Sequence, residues 1–456
     1  MSEKPNIIIL SIDALRADKV FGDNKKSHTP NIDSLMKNGT YFSQAISTSD
    51  QTGTSLTSLF SGIFPITSGK TQFNFTKETW TFFDSLKQDG YNIHAFVPDH
   101  DFFVTLTSKF DKKTIYDFRE KEKWLRLQGG LGNQIVEQLK SNKMKNPWIY
   151  YIHLMDIRSP FQVPTEFDKD EYGENNYEKL VSYIDNWIGK FLEHVNLDET
   201  LIVLTSDHGE YIPVTGENIN EIPKMQKIIT NSTKKAPFLE KIGMKVLLNA
   251  RFAAQTYRKE KLKRELSPYE MRSFNSRATL FLYDEIIRVP LLYAGYKTKK
   301  DTVIQDMVRH TDAFTTIMEM IGSSTDESKI DGRSLLPLIN GEKIDEKPAY
   351  IEVGINLAQL IDNKKSDGLS KVIGVRTSEY KYFRSRADVT KNVYLFDLKK
   401  DPLEENNIVE SNPKIVKKLE EILTNFINKG DKNESSTLTD EEIRKAKETL
   451  LKLGYI

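Results

Sequence analysis

Pro5-Asn6-Ile7-Ile8-Ile9-Leu10-Ser11-Ile12-Asp13 is a short, continuous, isoleucine-rich run without polar alternation, the pattern of a parallel strand buried on both faces. Its last residue is an aspartate. The same pattern recurs in Leu201-Ile202-Val203-Leu204-Thr205-Ser206, which runs into Asp207-His208. It recurs again in Trp148-Ile149-Tyr150-Tyr151-Ile152-His153-Leu154-Met155, which runs into Asp156-Ile157-Arg158-Ser159-Pro160. Further strands are expected at Tyr41 to Ile46 and Ile93 to Val97. Between the strands the sequence reads as helices. Thr29 to Gly39 has proline in its first turn and glycine after its last, and Trp80 to Asp89 is closed by Gly90. A charged helical pattern covers roughly Glu120 to Lys140, and Tyr177 to His194 has helical apolar spacing. Strands alternating with helices predict an α/β fold, a mostly parallel central sheet with helices on both faces. Such sheets collect ligands at the carboxyl ends of their strands, where Asp13, Asp156 and Asp207 fall.

The alternation stops between Glu210 and Ala278. From Lys224 to Arg277 there are fourteen Lys and Arg against four Asp and Glu, which reads as a basic helical insertion over about 211–277. Such a segment is either a solvated helical face or a cover that attracts an anionic or polymeric substrate. The sheet pattern resumes at Tyr283 to Leu292, and a helix from Thr311 to Ile321 follows His310. Lys371 to Asp397 reads as an antiparallel hairpin, followed by a charged helical tail. The expected organisation is a catalytic domain over 1–369 and a small C-terminal α+β subdomain over 370–456.

Composition removes several function classes. With 456 residues, 38% hydrophobic and 29% charged, the chain has the makings of a globular core and is not a disordered protein. Lys and Arg balance Asp and Glu at 65 each, so no global field argues for nucleic acid or a membrane surface. Cysteine is absent, which excludes disulfides, thiolate metal sites and cysteine nucleophiles together. No apolar run approaches the roughly 18 residues of a transmembrane segment. The start of the chain has no basic region and small-residue cleavage site of a signal peptide, and a cytoplasmic location is expected.

The chemistry concentrates in Ser49-Asp50-Gln51-Thr52-Gly53-Thr54-Ser55-Leu56-Thr57-Ser58-Leu59-Phe60-Ser61-Gly62, where a hydroxyl-rich turn enters an amphipathic helical pattern. Ser and Thr at a helix start are also ordinary caps. A hydroxyl there would face unpaired backbone N–H groups and the positive end of the helix dipole, which favour an alkoxide and an anionic ester. Asp13, Asp207 and His208 at strand ends make an oxygen-rich set with one nitrogen, suited to Mn, Mg, Ca or Zn. A metal there would bind the threonine oxygen, lower its pKa and hold an ester oxygen beside it.

The chain resembles the sulfatase-like branch of the alkaline phosphatase superfamily nearly end to end. The resemblance rests on Pro5 to Arg16, Thr29-Pro30-Asn31-Ile32-Asp33-Ser34-Leu35, Ser61-Gly62-Ile63-Phe64-Pro65, His153-Leu154-Met155-Asp156, Ser206-Asp207-His208-Gly209-Glu210, Leu282 to Pro290 and Gly374-Val375-Arg376-Thr377. It implies one divalent metal site on Asp13, Asp207 and His208, with Thr52 as nucleophile and further ligand. It also implies substrate contacts at His100, with Arg158 and Arg277 as further cations. Departures from the sulfatase pattern decide the expected chemistry. Sulfatases convert the Cys or Ser of a Cys/Ser-x-Pro-x-Arg motif to formylglycine, whereas here the chain reads Thr52-Gly53-Thr54-Ser55-Leu56. Threonine cannot become formylglycine. The second aspartate of the family's Asp-Asp pair is Ala14, the pocket lysine is Pro98, and Arg158 replaces the imidazole of Asp-Pro-His-x-Pro. The threonine resembles that of phosphoethanolamine and phosphoglycerol transferases and nucleotide phosphodiesterases. A second metal, as in two-metal relatives, would use Asp156 and His310, but Pro160 stands where a further histidine is needed. The expectation is a metal-dependent hydrolase or transferase of small or polymer-borne anionic phosphate esters. The rivals are a sulfuric ester hydrolase, a non-catalytic protein that keeps the fold, and a small-molecule or polymer binding module built on the basic insertion.

Overall fold

Eight strands form the central sheet of the computed structural model, which describes residues 4–118, 126–158, 161–212, 260–274, 280–323, 325–354, 372–430 and 444. They are β1 (Asn6–Ile12), β2 (Gly39–Ile46), β3 (Asn92–Pro98), β4 (Lys112–Tyr116), β5 (Trp148–Leu154), β6 (Thr200–Thr205), β7 (Arg288–Gly295) and β8 (Thr302–Arg309). Across the sheet the order is β4-β3-β5-β1-β6-β7-β2-β8. β7 pairs antiparallel with β6 and β2, and every other pairing is parallel, so the sheet is mostly parallel as the sequence predicts. The strands that sequence reading missed, β4 and β8, are the two edges. Lys112, Lys113, Gln305 and Asp306 are exposed on them and interrupt any apolar run.

Helices cover both faces: α1 (Pro30–Lys37), α2 (Thr52–Ser61), α3 (Phe82–Gln88), α4 (Asp101–Leu106), α5 (Gly132–Lys140), α6 (Asn176–Leu192) and α7 (Asp312–Met320). Side chains alternate across a strand, so the register assigns each residue to a face. Ile7, Ile9, Ile149, Tyr151, Leu201 and Val203 share one face and pack with Leu56 and Phe60 of α2, Phe83 of α3, Phe103 of α4 and Phe314 of α7. Ile8, Leu10, Ile152 and Ile202 share the other face and surround a small cavity with Leu35 of α1, Leu139 of α5 and Ile188 of α6. Followed to their carboxyl ends, the strands on the α2 side bring up Ser11, His153 and Thr205, which are registered partners.

A second sheet follows, in the order β12-β11-β10-β9, from β9 (Ala349–Glu352), β10 (Val372–Arg376), β11 (Tyr380–Ser385) and β12 (Tyr394–Asp397), all antiparallel. The hairpin read from Lys371 to Asp397 is its β10–β12 portion. Helix α8 (Pro413–Gly430) lays Leu419 and Leu423 against Ile373, Val375, Tyr382 and Leu395. A buried charge cluster ties this sheet to the large one. Lys381, with no exposed surface, lies 2.5 Å from Asp284 Oδ1 and 2.7 Å from Glu404 Oε1, while Arg376 Nη2 lies 3.0 Å from Asp284 Oδ2 and 2.6 Å from Gln44 Oε1. Burial opposes the ionisation of Asp284, yet the Arg376 and Lys381 charges hold its carboxyl well below the usual range.

Residues Met1–Glu210 and Arg277–Ile456 form one compact unit, and Tyr211–Ser276 forms another. Within the second, the described part contains the short helix Pro268–Met271, closed by a Ser267/Glu270 capping box. The rest of the basic insertion, Arg277 and Pro160 lie outside the described residues, as does the start of the helix expected at Glu120.

Candidate active site

Asp13 and Asp207 leave β1 and β6 side by side, and the backbone around them is committed to orienting one carboxylate. Ala14, at φ 64°, donates its N–H to Asp207 Oδ1 at 3.1 Å, and the His208 N–H donates to the same oxygen at 3.0 Å. The Ala14 carbonyl is held in turn by the Tyr177 hydroxyl at 2.6 Å. With Oδ1 doubly engaged, Asp207 Oδ2 is buried without a hydrogen-bond partner among the described residues, 3.3 Å from His208 Nε2. His208 Nδ1 lies 2.8 Å from Gly209 O. A carbonyl only accepts, so Nδ1 carries the hydrogen and Nε2 presents its lone pair to the carboxylates. Gly209 is required: a Cβ there would sit 2.1 Å from Glu285 O.

Thr52 opens α2 with its Oγ1 3.1 Å from Asp13 Oδ1, to which it donates, and 3.2 Å from His208 Nε2. Neither neighbouring hydroxyl makes a hydrogen bond to Asp13 or His208 among the described residues. Ser55 Oγ donates to Ser49 O at 2.7 Å, and Thr54 Oγ1 is buried without a hydrogen-bond partner among the described residues. The turn is pinned from the second sheet, because Glu352 donates its N–H to Thr48 O at 2.8 Å and Gly354 donates to Asp50 Oδ1 at 2.7 Å. Leu56, where the sulfatase motif carries arginine, is fully buried in the core.

Arg158 Nε lies 3.7 Å from Asp13 Oδ2, with its guanidinium 5.9 Å from the Phe118 ring centre. The His100 ring also lies near Phe118, 6.3 Å centre to centre. His100 Nδ1 accepts the Phe102 N–H at 3.3 Å, which leaves the ring hydrogen on Nε2. Sequence reading did not single out His153 as a site residue. Its ligand atom and those of Asp13 and Asp207 all lie within 4.8 Å of one another. The signal was a lone imidazole inside an otherwise apolar and aromatic strand.

Asp156 and His310 are not members of this group. Asp156 Oδ1 accepts the Leu127 N–H at 3.1 Å, and burial pushes its carboxyl up to about 6 against the pull of that amide and Arg126. His310 Nε2 lies 3.1 Å from Thr205 Oγ1, and burial pushes its imidazole down to about 3. Among the described residues, the metal-capable group of three consists of Asp13, His153 and Asp207.

Residues 5–323 match the sulfatase family model. The chain belongs to the sulfatase family. Residues 270–429 of this sulfatase-family chain also match the N-sulphoglucosamine sulphohydrolase C-terminal model. It is 22% identical over 447 residues to an ulvan-active sulfatase of Formosa agariphila, covering 91% of the chain and 77% of that protein. Shorter matches are to an uncharacterized protein of Haemophilus influenzae, 22% identical over 46% of the chain and 32% of that protein, and to arylsulfatase K of Gallus gallus, 26% identical over 32% of the chain and 27% of that protein. The chain therefore spans about a third or less of those two. Among solved structures, the phosphonate monoester hydrolase of Agrobacterium radiobacter aligns with TM-score 0.67 at 15% identity, covering 94% of the chain and 96% of that one. A protein in complex with its substrate D-glucosamine-2-N,6-O-disulfate aligns with TM-score 0.66 at 16% identity, covering 95% and 99%. The shared fold is thus that of sulfatases and phosphonate monoester hydrolases. No helix among the described residues is long and apolar enough to cross a membrane.

Proposed function

We propose that the chain is a metal-dependent hydrolase or transferase of phosphate esters with Thr52 as its nucleophile. The observation that carries this reading is the contact of Thr52 Oγ1 with Asp13 Oδ1 and His208 Nε2 at the start of α2. Two buried carboxylates this close, one with an unpartnered oxygen, are costly unless a cation shares them, so the donor set fits a divalent metal. Asp13, Thr52, Asp207 and His208 would hold it. Bound there, such an ion supplies Lewis acidity toward the ester oxygens and lowers the pKa of the hydroxyl.

The residues divide the remaining work. The Thr52 proton leaves along its hydrogen bond toward Asp13, Oγ1 attacks phosphorus, the P–O bond to the leaving group breaks, and that proton passes to the departing alkoxide, giving phospho-threonine and the free alcohol. Water or an acceptor alcohol then attacks phosphorus, and its proton passes to Thr52 as the P–Oγ1 bond breaks. First-turn N–H groups of α2 have no partner inside the helix and face the developing charge. Arg158 and the His100 Nε2–H donate to the non-bridging oxygens. Arg277 and the basic insertion would add attraction for an anionic or polymeric substrate, and deleting residues 224–270 would separate that role from turnover of small esters.

A second reading is a sulfuric ester hydrolase working through a threonine sulfate, favoured by the family and by the name of the Formosa relative. The purified protein, supplied with Mn, Mg, Ca or Zn, would be assayed on nitrophenyl phosphate, a nitrophenyl phosphodiester, a phosphonate monoester and nitrophenyl sulfate. Acid quenching and peptide mass analysis should then place the transferred group on Thr52. Thr52→Ala should abolish turnover and Thr52→Ser should retain measurable activity. Finding the group on Thr54 or Ser55, or a fully active Thr52→Ala, would overturn the mechanism.

A further inference from the structure

We infer that His153 is an additional ligand in this centre, and that with it the site selects an imidazole-preferring ion such as zinc over calcium and magnesium. The inference rests on the metal centre proposed above and narrows the ion it takes. His153 on β5 and Thr205 on β6 both pair with Ser11 on β1, so the three side chains stand in one row on the α2 face. Asp13 and Asp207 follow Ser11 and Thr205 by two residues, one side-chain step further along that face. His153 therefore lies directly beneath the two carboxylates.

The imidazole is oriented toward them. Its Nδ1 lies 3.1 Å from Ser11 Oγ and 3.2 Å from the Tyr151 hydroxyl, and the Phe103 ring packs against it at 4.5 Å between centres. The Tyr116 hydroxyl holds the His153 carbonyl at 2.7 Å. These contacts fix one edge of the ring and leave the other to the carboxylates. His153 Nε2 is fully buried and has no hydrogen-bond partner among the described residues. A buried ring nitrogen without a partner costs free energy whether it carries a hydrogen or a lone pair. Donation from Nδ1–H to Ser11 or Tyr151 puts the lone pair on Nε2, and a cation drawn in by Asp13 and Asp207 satisfies it.

The donor set then becomes two carboxylates, two imidazoles and one threonine oxygen. Calcium and magnesium take nearly all-oxygen shells, whereas imidazole nitrogen suits zinc and other first-row ions. Ser11 and Tyr151 act on this ligand as outer-shell partners, fixing its tautomer.

The test uses the full chain stripped with a chelator and titrated separately with zinc, manganese, calcium and magnesium by calorimetry. The parent should bind zinc at least about 100-fold more tightly than calcium. His153→Ala and His153→Asn should lose on the order of 100-fold in zinc affinity while changing calcium affinity little, so that the preference collapses. Thermal melts of the stripped proteins identify a variant that does not fold. Independently of any variant, electron spin-echo spectra of the manganese-loaded parent count coordinated imidazoles. Two imidazoles support the inference, and one overturns it while leaving the centre intact. Variants with parental zinc and calcium affinities would also overturn it. A stripped parent that takes up none of the four ions would instead overturn the metal centre itself.

Discussion

Asp207→Asn should shift stability in opposite directions with and without metal, and the size of each shift follows from the geometry. Asparagine keeps an Oδ1 that can accept from the Ala14 and His208 amides, so the turn survives. Its NH2 replaces Oδ2, the oxygen without a partner, 3.3 Å from the His208 Nε2 lone pair. In metal-free protein the substitution therefore removes a repulsion and adds a donor. Two unit charges at the 4.8 Å limit that contains the Asp13 and Asp207 ligand atoms repel by on the order of 3 kcal/mol at an effective dielectric of about 20. Arg158, 3.7 Å from Asp13, offsets part of this, leaving a net gain of about 1–2 kcal/mol.

With metal the order inverts. Removing one of the two carboxylates that would hold a dication costs more than relief of the carboxylate repulsion returns. A loss of at least about 1,000-fold in affinity, roughly 4 kcal/mol, should remain. The assay is a pair of thermal melts, one in chelator and one in excess metal, with metal content measured on the same samples. The variant should melt above the parent in chelator and below it in metal. A variant less stable than the parent in chelator, or with the same metal content, would refute both the charge repulsion and the assignment of Asp207.

Arg158→Ala should lower turnover of phosphate esters by on the order of 100-fold, the scale of one lost transition-state donor, and unchanged turnover would remove Arg158 from the site. Lys381→Met leaves Asp284 and Glu404 buried without their shared cation and should cost about 3–5 kcal/mol in denaturant unfolding, against no change if the cluster were only peripheral. Burial pushes the Glu352 carboxyl up to about 7, with Asp50 adding to the shift and the Tyr350 hydroxyl and Arg386 opposing it. Because its folded pKa exceeds the unfolded one, the stability it contributes is complete below about 4.5 and is lost as pH rises through 7. Glu352→Gln should therefore gain on the order of 2–3 kcal/mol on the parent between about pH 5 and pH 8, and parallel pH profiles would show that Glu352 is not buried protonated.

What was legible in the sequence follows from burial. β1, β5 and β6 lie inside the sheet with both faces covered, so they read as unbroken apolar runs. β4 and β8 pair on one side only, and their solvent-facing lysines and polar residues erase that signal. Strand-end position identified Asp13 and Asp207, but it does not say which face an acid takes. Asp156 follows Ile152 and Leu154, the side of the sheet opposite His153, and its carboxylate meets the Leu127 amide there. His153 went unassigned for the converse reason: it is inside the strand, and only the register with Ser11 carries it beneath the carboxylates. The hydroxyl turn by itself does not divide Thr52 from Thr54 and Ser55; the family register singles out Thr52, and the meeting of α2 with the ends of β1 and β6 sets its Oγ1 beside Asp13 and His208.

The departures from the sulfatase pattern compensate one another in charge. At the position of the second aspartate, Ala14 contributes a backbone N–H that fixes Asp207, so one carboxylate is gone but the remaining one is held in place. At the position of the motif arginine, Leu56 is buried in the core and contributes packing instead of a guanidinium. A centre that lost only the arginine would carry excess negative charge against an incoming anion, and one that lost only the aspartate would bind its metal less tightly. With the pocket lysine also gone, as Pro98, the balance is kept only when Arg158, 3.7 Å from Asp13 and standing where the pattern has an imidazole, is counted, and in the proposed mechanism that cation would serve substrate and carboxylate in turn. In the proposed centre, a metal that took Asp13 would compete with the Arg158 guanidinium for that carboxylate, and metal uptake would then free Arg158 for an anionic ester.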